Sequence, residues 1–88
     1  MTLGGWCPLG LRMWRRMWVD EHGLRHRAGQ VYLWWIPWDG LRHYMWQAWS
    51  PDGVLLAEGR SERWPAARSE VDAVLKKASS TAPKLQVR

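Results

Sequence analysis

The sequence predicts an α+β domain: a three-stranded antiparallel meander, with room for a fourth and fifth strand, and a C-terminal helix packed on one face. Three observations lead there. Residues 30–38 (QVYLWWIPW) are dense in β-branched and aromatic side chains, which favours a strand. Asp39-Gly40 and Ser50-Pro51-Asp52-Gly53 carry turn chemistry and separate strand-like runs. From Trp64 onward the apolar residues recur at the helical period instead.

In the 30–38 strand, Val31, Leu33 and Trp35 share one face, and Tyr32, Trp34 and Ile36 share the other. Both faces are apolar, so the strand is either covered twice or presents one face to a partner. Asp39-Gly40 reads as a two-residue hairpin turn. The return run, 41–50 (LRHYMWQAWS), places Tyr44, Trp46 and Ala48 on one face and His43, Met45, Gln47 and Trp49 on the other. Pro51 and Gly53 suit a type I turn closed by a left-handed glycine. Residues 54–60 (VLLAEGR) follow as a third strand, in which Gly59 signals a bulge or a close backbone approach.

Pro65 fits the first turn of a helix, where a missing N–H costs nothing. Trp64, Ala67, Val71, Val74, Leu75 and Ala78 form its apolar stripe, with Arg68, Glu70, Asp72, Lys76 and Lys77 outward. Residues 79–88 (SSTAPKLQVR) have no pattern and contain Pro83, so the domain is expected to span 1–78, with 79–88 a disordered tail.

Residues 9–28 admit two readings. A helix opened by Pro8 and closed by Gly23 would gather Leu11, Met13, Trp14, Met17 and Trp18 on one stripe, against Arg12, Arg15, Arg16 and Asp20. A hairpin would pair 13–19 with 24–27 across Asp20-Glu21-His22-Gly23. The helix separates the two faces better; the choice stays open.

Composition bounds the function. The 88 residues allow one domain. Nine tryptophans without a phenylalanine exceed what one small core needs, so some should face a ligand, a partner subunit or nucleic acid. A net charge of +5, with 13 Lys and Arg against 8 Asp and Glu, favours an anionic partner: nucleic acid, an acidic protein surface or an anionic membrane. One cysteine, Cys7, leaves no intrachain disulfide or cysteine-based zinc finger and suits a cytoplasmic setting. No signal peptide is evident, and no apolar run approaches the roughly 20 residues of a spanning helix.

No pattern of catalytic chemistry stands out. Cys7 has no neighbouring base in the sequence, no glycine-rich phosphate loop is present, and no carboxylate pair is set apart, so an enzyme is not expected. His22 and His26 are four residues apart beside Asp20 and Glu21, but Gly23 intervenes; neither a metal nor a cofactor is expected.

From Tyr44 to Ala78 a strand, the short SPDG turn, a strand ending Ala57-Glu58-Gly59-Arg60-Ser61 and a helix follow in order. With the helical reading of 9–28, this order resembles the double-stranded-RNA-binding domain. That resemblance implies duplex RNA binding, with Arg63 in the place of a phosphate-contacting cation. The same stretch is similar to small bacterial strand–strand–helix domains of unassigned function.

The residues themselves point first to nucleic-acid binding. Phosphates call for cations and bases for flat faces. Arg12, Arg15, Arg16, Arg25, Arg27, Arg42, Arg60 and Arg63 supply the first; Trp34, Tyr44, Trp46 and Trp49 supply the second. The alternative is a protein-interaction module, such as an adaptor or small inhibitor of bacterial or phage type, that uses the Trp-rich face as a hot spot. One helix cannot cover both apolar strand faces, so a homo-oligomer is expected in either case.

Overall fold

The computed structural model describes the backbone of residues 1–10, 12–36, 38 and 40–87, and the side chains of these residues except 36, 41 and 80–87. Two turns are built as their residues dictate. The Gly23 N–H donates to the Asp20 carbonyl at 3.0 Å, and the Gly53 N–H to the Ser50 carbonyl at 2.9 Å. Both glycines lie in the left-handed region, at φ 80° and 89°, where a Cβ would be strained. In each turn the first residue's side chain also accepts from the backbone four residues on: Asp20 Oδ1 from the Leu24 N–H at 2.9 Å, Ser50 Oγ from the Val54 N–H at 3.1 Å.

These turns set an antiparallel sheet of β1 (Thr2–Leu3), β2 (Cys7–Pro8), β3 (Met13–Val19), β4 (Arg25–Ile36), β5 (Leu41–Trp49) and β6 (Leu55–Ser61). The spatial order is β1-β3-β4-β5-β6, and β2 lies beside β1 on the same flank of β3. A single helix, α1 (Trp64–Val87), packs against β4, β5 and β6. The chain is therefore α+β, as its composition and turn spacing predict, with more strands than the three of the central meander.

Residues 13–27 form the hairpin, not the helix. Paired with β4, Trp14 lies opposite Val31, and Trp18 is nearly fully buried and donates its Nε1–H to the Trp49 carbonyl at 2.9 Å. An isolated amphipathic helix offers none of these long-range contacts, and they outweigh the local stripe. Leu11, part of that stripe, lies outside the described residues. β4 also starts earlier than the aromatic run suggests, because residues 25–27 and Gly29 pair with β3, with a register shift at Ala28.

The β4–β5 connection is longer than the two-residue turn expected at Asp39-Gly40. The ladder closes at Ile36↔Leu41, which leaves residues 37–40 between the strands. Pro37 cannot donate to a ladder; Asp39 lies outside the described residues, and Gly40 has φ 67°. At the other end, the backbone of α1 runs through residues 79–87. Those residues contain no glycine, and Pro83 forfeits one helical hydrogen bond without forbidding the turns on either side.

The core lies between α1 and the sheet: Trp18, Ala28, Val31, Trp46 and Ala48 meet Ala67, Val71 and Leu75. Burial of each large apolar side chain here contributes about 1.5–3 kcal/mol. Two glycines let the layers close. A Cβ on Gly29 would sit 2.5 Å from Val71 Cγ1, and one on Gly59 would sit 2.8 Å from the Trp46 ring. Around this core Trp14 stacks on Trp64 at 3.9 Å between centroids, and Trp6 meets Trp64 edge-on at 5.7 Å. Arg16 and Trp6 clip the N-terminal flank to the helix. Both donate to Asp72 Oδ1, at 2.6 and 2.9 Å, and Arg16 Nε donates to the Gly4 carbonyl at 2.8 Å.

Candidate functional site

Strand alternation divides the sheet into a face under α1 and a face turned away from it. Register fixes the second face. Met13, Tyr32, Met45 and Arg60 form one row across β3, β4, β5 and β6; Cys7, Arg15, Gln30, Gln47 and Glu58 form the next, starting from β2. Met17 pairs with Arg27, Val19 with Arg25, and Trp34 with His43, all on the same side. This open face carries four arginines, Arg15, Arg25, Arg27 and Arg60, against one carboxylate, Glu58. Arg15 and Arg60 stand on strands three spacings apart, about 14 Å at the usual inter-strand distance.

Among the described residues none of these four arginines is paired with a carboxylate; the ion pairs are Arg16–Asp72, His22–Glu21 and His26–Asp20. The Arg15 Nε–H is buried and has no hydrogen-bond acceptor. An orphaned buried donor costs about 1–3 kcal/mol. Arg25 and Arg27 are exposed, and Arg27 lies over the Trp49 ring at 4.7 Å. A shallow depression of about 360 Å³ runs between Tyr32, Met45, Gln47, Glu58 and Arg60, and a second of about 160 Å³ between Cys7, Leu9, Arg15, Met17 and Arg25.

The other expected site residues are distributed elsewhere. Trp46 is buried beneath α1, and Tyr44 is half-buried on the same side. Since Leu33 pairs with Tyr44 while Trp34 pairs with His43, Trp34 and Tyr44 cannot share a face. Arg16, adjacent to Arg15 in sequence, points the opposite way into the Asp72 clip. Arg12 has φ 60°; its carbonyl accepts from the Leu33 N–H at 2.9 Å, and its Nη1 donates to Tyr44 Oη at 3.2 Å. Arg42 lies over Trp35, centroid distance 5.6 Å, near the β4–β5 tip. Arg63, the cation singled out by the family resemblance, is exposed in the step between β6 and α1.

Tyr32, Gln30 and Gln47 join the open face although none was among the expected site residues. Parity with Trp34 would have found Tyr32 and Gln30; parity with His43 would have found Gln47. The tryptophans divide in the same way. Trp6, Trp14, Trp18, Trp46 and Trp64 build the helix side, whereas Trp34, Trp35 and Trp38 are 52%, 52% and 85% exposed at the far end of the β4–β5 hairpin.

In the β3–β4 turn, Asp20 accepts from the His22 and Leu24 N–H groups at 2.9 Å and lies 3.0 Å from His26 Nε2. The His26 contact, the largest effect, outweighs the opposing effect of burial and, with the two backbone donors, holds the Asp20 carboxyl below its usual value. His26 is thus held by Asp20, and among the described residues no group of three His, Cys, Asp or Glu side chains is placed to hold a metal ion. Among them, too, no helix is long and apolar enough to cross a membrane. No family model, curated protein or solved structure matches the chain.

Proposed function

We propose that this chain is a nucleic-acid-binding module that grips a single strand on the open face of its sheet. Arg15, Arg25, Arg27 and Arg60 contact phosphates, and Tyr32 and Trp34 offer planes on which bases stack. The observation that carries the reading is the four-to-one excess of arginine without a carboxylate partner over carboxylate on that face. A face meant only to be solvated would show mixed charge, and one meant for a core would show none. Gln30 and Gln47, central on the face, add donors and acceptors for base edges or sugars.

The test is the affinity for a labelled single-stranded oligonucleotide, read by anisotropy. Combined replacement of Arg15, Arg25, Arg27 and Arg60 by alanine should abolish binding while the fold is retained. Arg16→Ala, which removes a cation of equal charge from the other face, should leave the affinity within about twofold. Equal loss in both variants would mean that bulk charge, not this face, does the binding. The exposed Trp34, Trp35 and Trp38 favour the alternative of a protein partner, since Trp and Arg dominate interface hot spots. Such an interface would hold at salt concentrations that strip a polyanion.

A further inference from the structure

We infer that the free edge of β6 docks a second copy of this chain, antiparallel, about a two-fold axis at Gly59. The two edges of the sheet are treated differently. On the N-terminal flank the edge is broken into β1 and β2, two residues each, with glycines at positions 4 and 5 between them and Pro8, which has no N–H to offer. Such an edge is blunted against further pairing. β6 is seven residues with no proline or lysine; its one register shift, at Leu56, falls before the Glu58–Arg60 stretch, and among the described residues it pairs only with β5. Its approach is apolar: Val54, Leu55 and Leu56 are 60%, 45% and 41% exposed. An edge of this kind is a template for another strand.

Charge selects the occupant and the register. In an antiparallel pair related by a two-fold axis, residues that face each other lie on the same side of the sheet. An axis at Glu58 sets two carboxylates opposite each other, and an axis at Arg60 sets two guanidinium groups opposite each other; both are unfavourable. An axis at Ala57 leaves Glu58 facing Leu56 and Arg60 facing Val54. Only the axis at Gly59 places Glu58 of each copy opposite Arg60 of the other, twice by symmetry, with Ala57 opposite Ser61. The same register carries Leu55 and Leu56 of each copy against the segment that leads into α1 of the other. A strand of this chain therefore complements itself, which an arbitrary extended peptide would not.

The pairing does not depend on nucleic-acid binding. It has a consequence for it: a two-fold axis normal to the sheet leaves both helices on one side and joins the two open faces into one continuous surface on the other.

The experiment is sedimentation velocity on the full chain across a concentration series, without nucleic acid. The wild type should sediment as a dimer. Glu58→Arg and Arg60→Glu should each weaken the dimer roughly tenfold or more, because two attractive pairs become repulsive. The double variant Glu58→Arg/Arg60→Glu should restore it, and that rescue separates a paired interface from a folding defect. A monomer at every concentration, a dimer indifferent to the single reversals, or a double variant no better than the singles would each overturn the inference.

Discussion

Arg15 and Arg16 are neighbours in sequence and serve opposite ends. Alternation turns Arg15 to the open face with an unpaired Nε–H, and Arg16 to the helix side, where it joins Gly4 and Asp72. Their alanine variants should therefore separate. Arg16→Ala should lower unfolding free energy by about 1 kcal/mol, a modest value because Asp72 remains partly solvated, and chemical denaturation will read it. Arg15→Ala removes an orphaned buried donor, so it should not lower stability, and it should weaken nucleic-acid binding. Asp20 makes a second prediction at this scale. Its carboxyl is held below the usual 3.8 in the folded chain, so its contribution to stability is present above that value and is lost as pH falls through the lower, folded-state value. Asp20→Asn should accordingly destabilise the chain at neutral pH, and the difference from wild type should vanish in strong acid; melts over a pH series test this.

At the scale of the element, the fit of α1 to the sheet depends on the missing side chain at Gly29. Gly29→Ala drives a methyl into Val71 at 2.5 Å, with Leu75 and Trp6 each 3.4 Å away, so the helix must shift. The expected loss is about 1–3 kcal/mol, and each kcal/mol lowers the melting temperature of so small a domain by about 4–8 °C. Gly5→Ala, which meets nothing within 4 Å, is the control and should melt as the wild type does.

The same scale explains what was legible in the sequence. The turn at 50–53 was readable because Gly, Pro, Asp and Ser act locally through φ and short side-chain hydrogen bonds; the same chemistry at 20–23 supported only one of two open readings. The α1 stripe was readable because one apolar face suffices to define it. Residues 13–19 (MWRRMWV) were not, because Trp14 and Trp18 satisfy a period of four as well as a period of two, and only pairing with β4 decides. The minor edge strands β1 and β2 left no signal, since two residues carry no periodicity. The site was half legible for the same reason. The arginines and aromatics were visible, but which of them share a face depends on register, and register is a long-range property.

At the scale of the whole molecule, a single helix covers one side of a broad sheet and leaves the other bare. Five of the nine tryptophans build the covered side, and four arginines without carboxylate partners, Arg15, Arg25, Arg27 and Arg60, lie on the bare one. This division, more than the net charge of +5, is what the proposed binding face rests on. The most direct measurement of that claim is the quenching of intrinsic tryptophan fluorescence on titration with single-stranded RNA and DNA at salt concentrations from about 50 to 200 mM. With four arginines on phosphates, the logarithm of affinity should fall against the logarithm of salt with a slope of about −3, and quenching should saturate as bases cover the aromatic rings. An unchanged spectrum at every salt concentration would contradict a nucleic-acid-binding face, and saturable quenching with no salt dependence would contradict its arginine–phosphate basis.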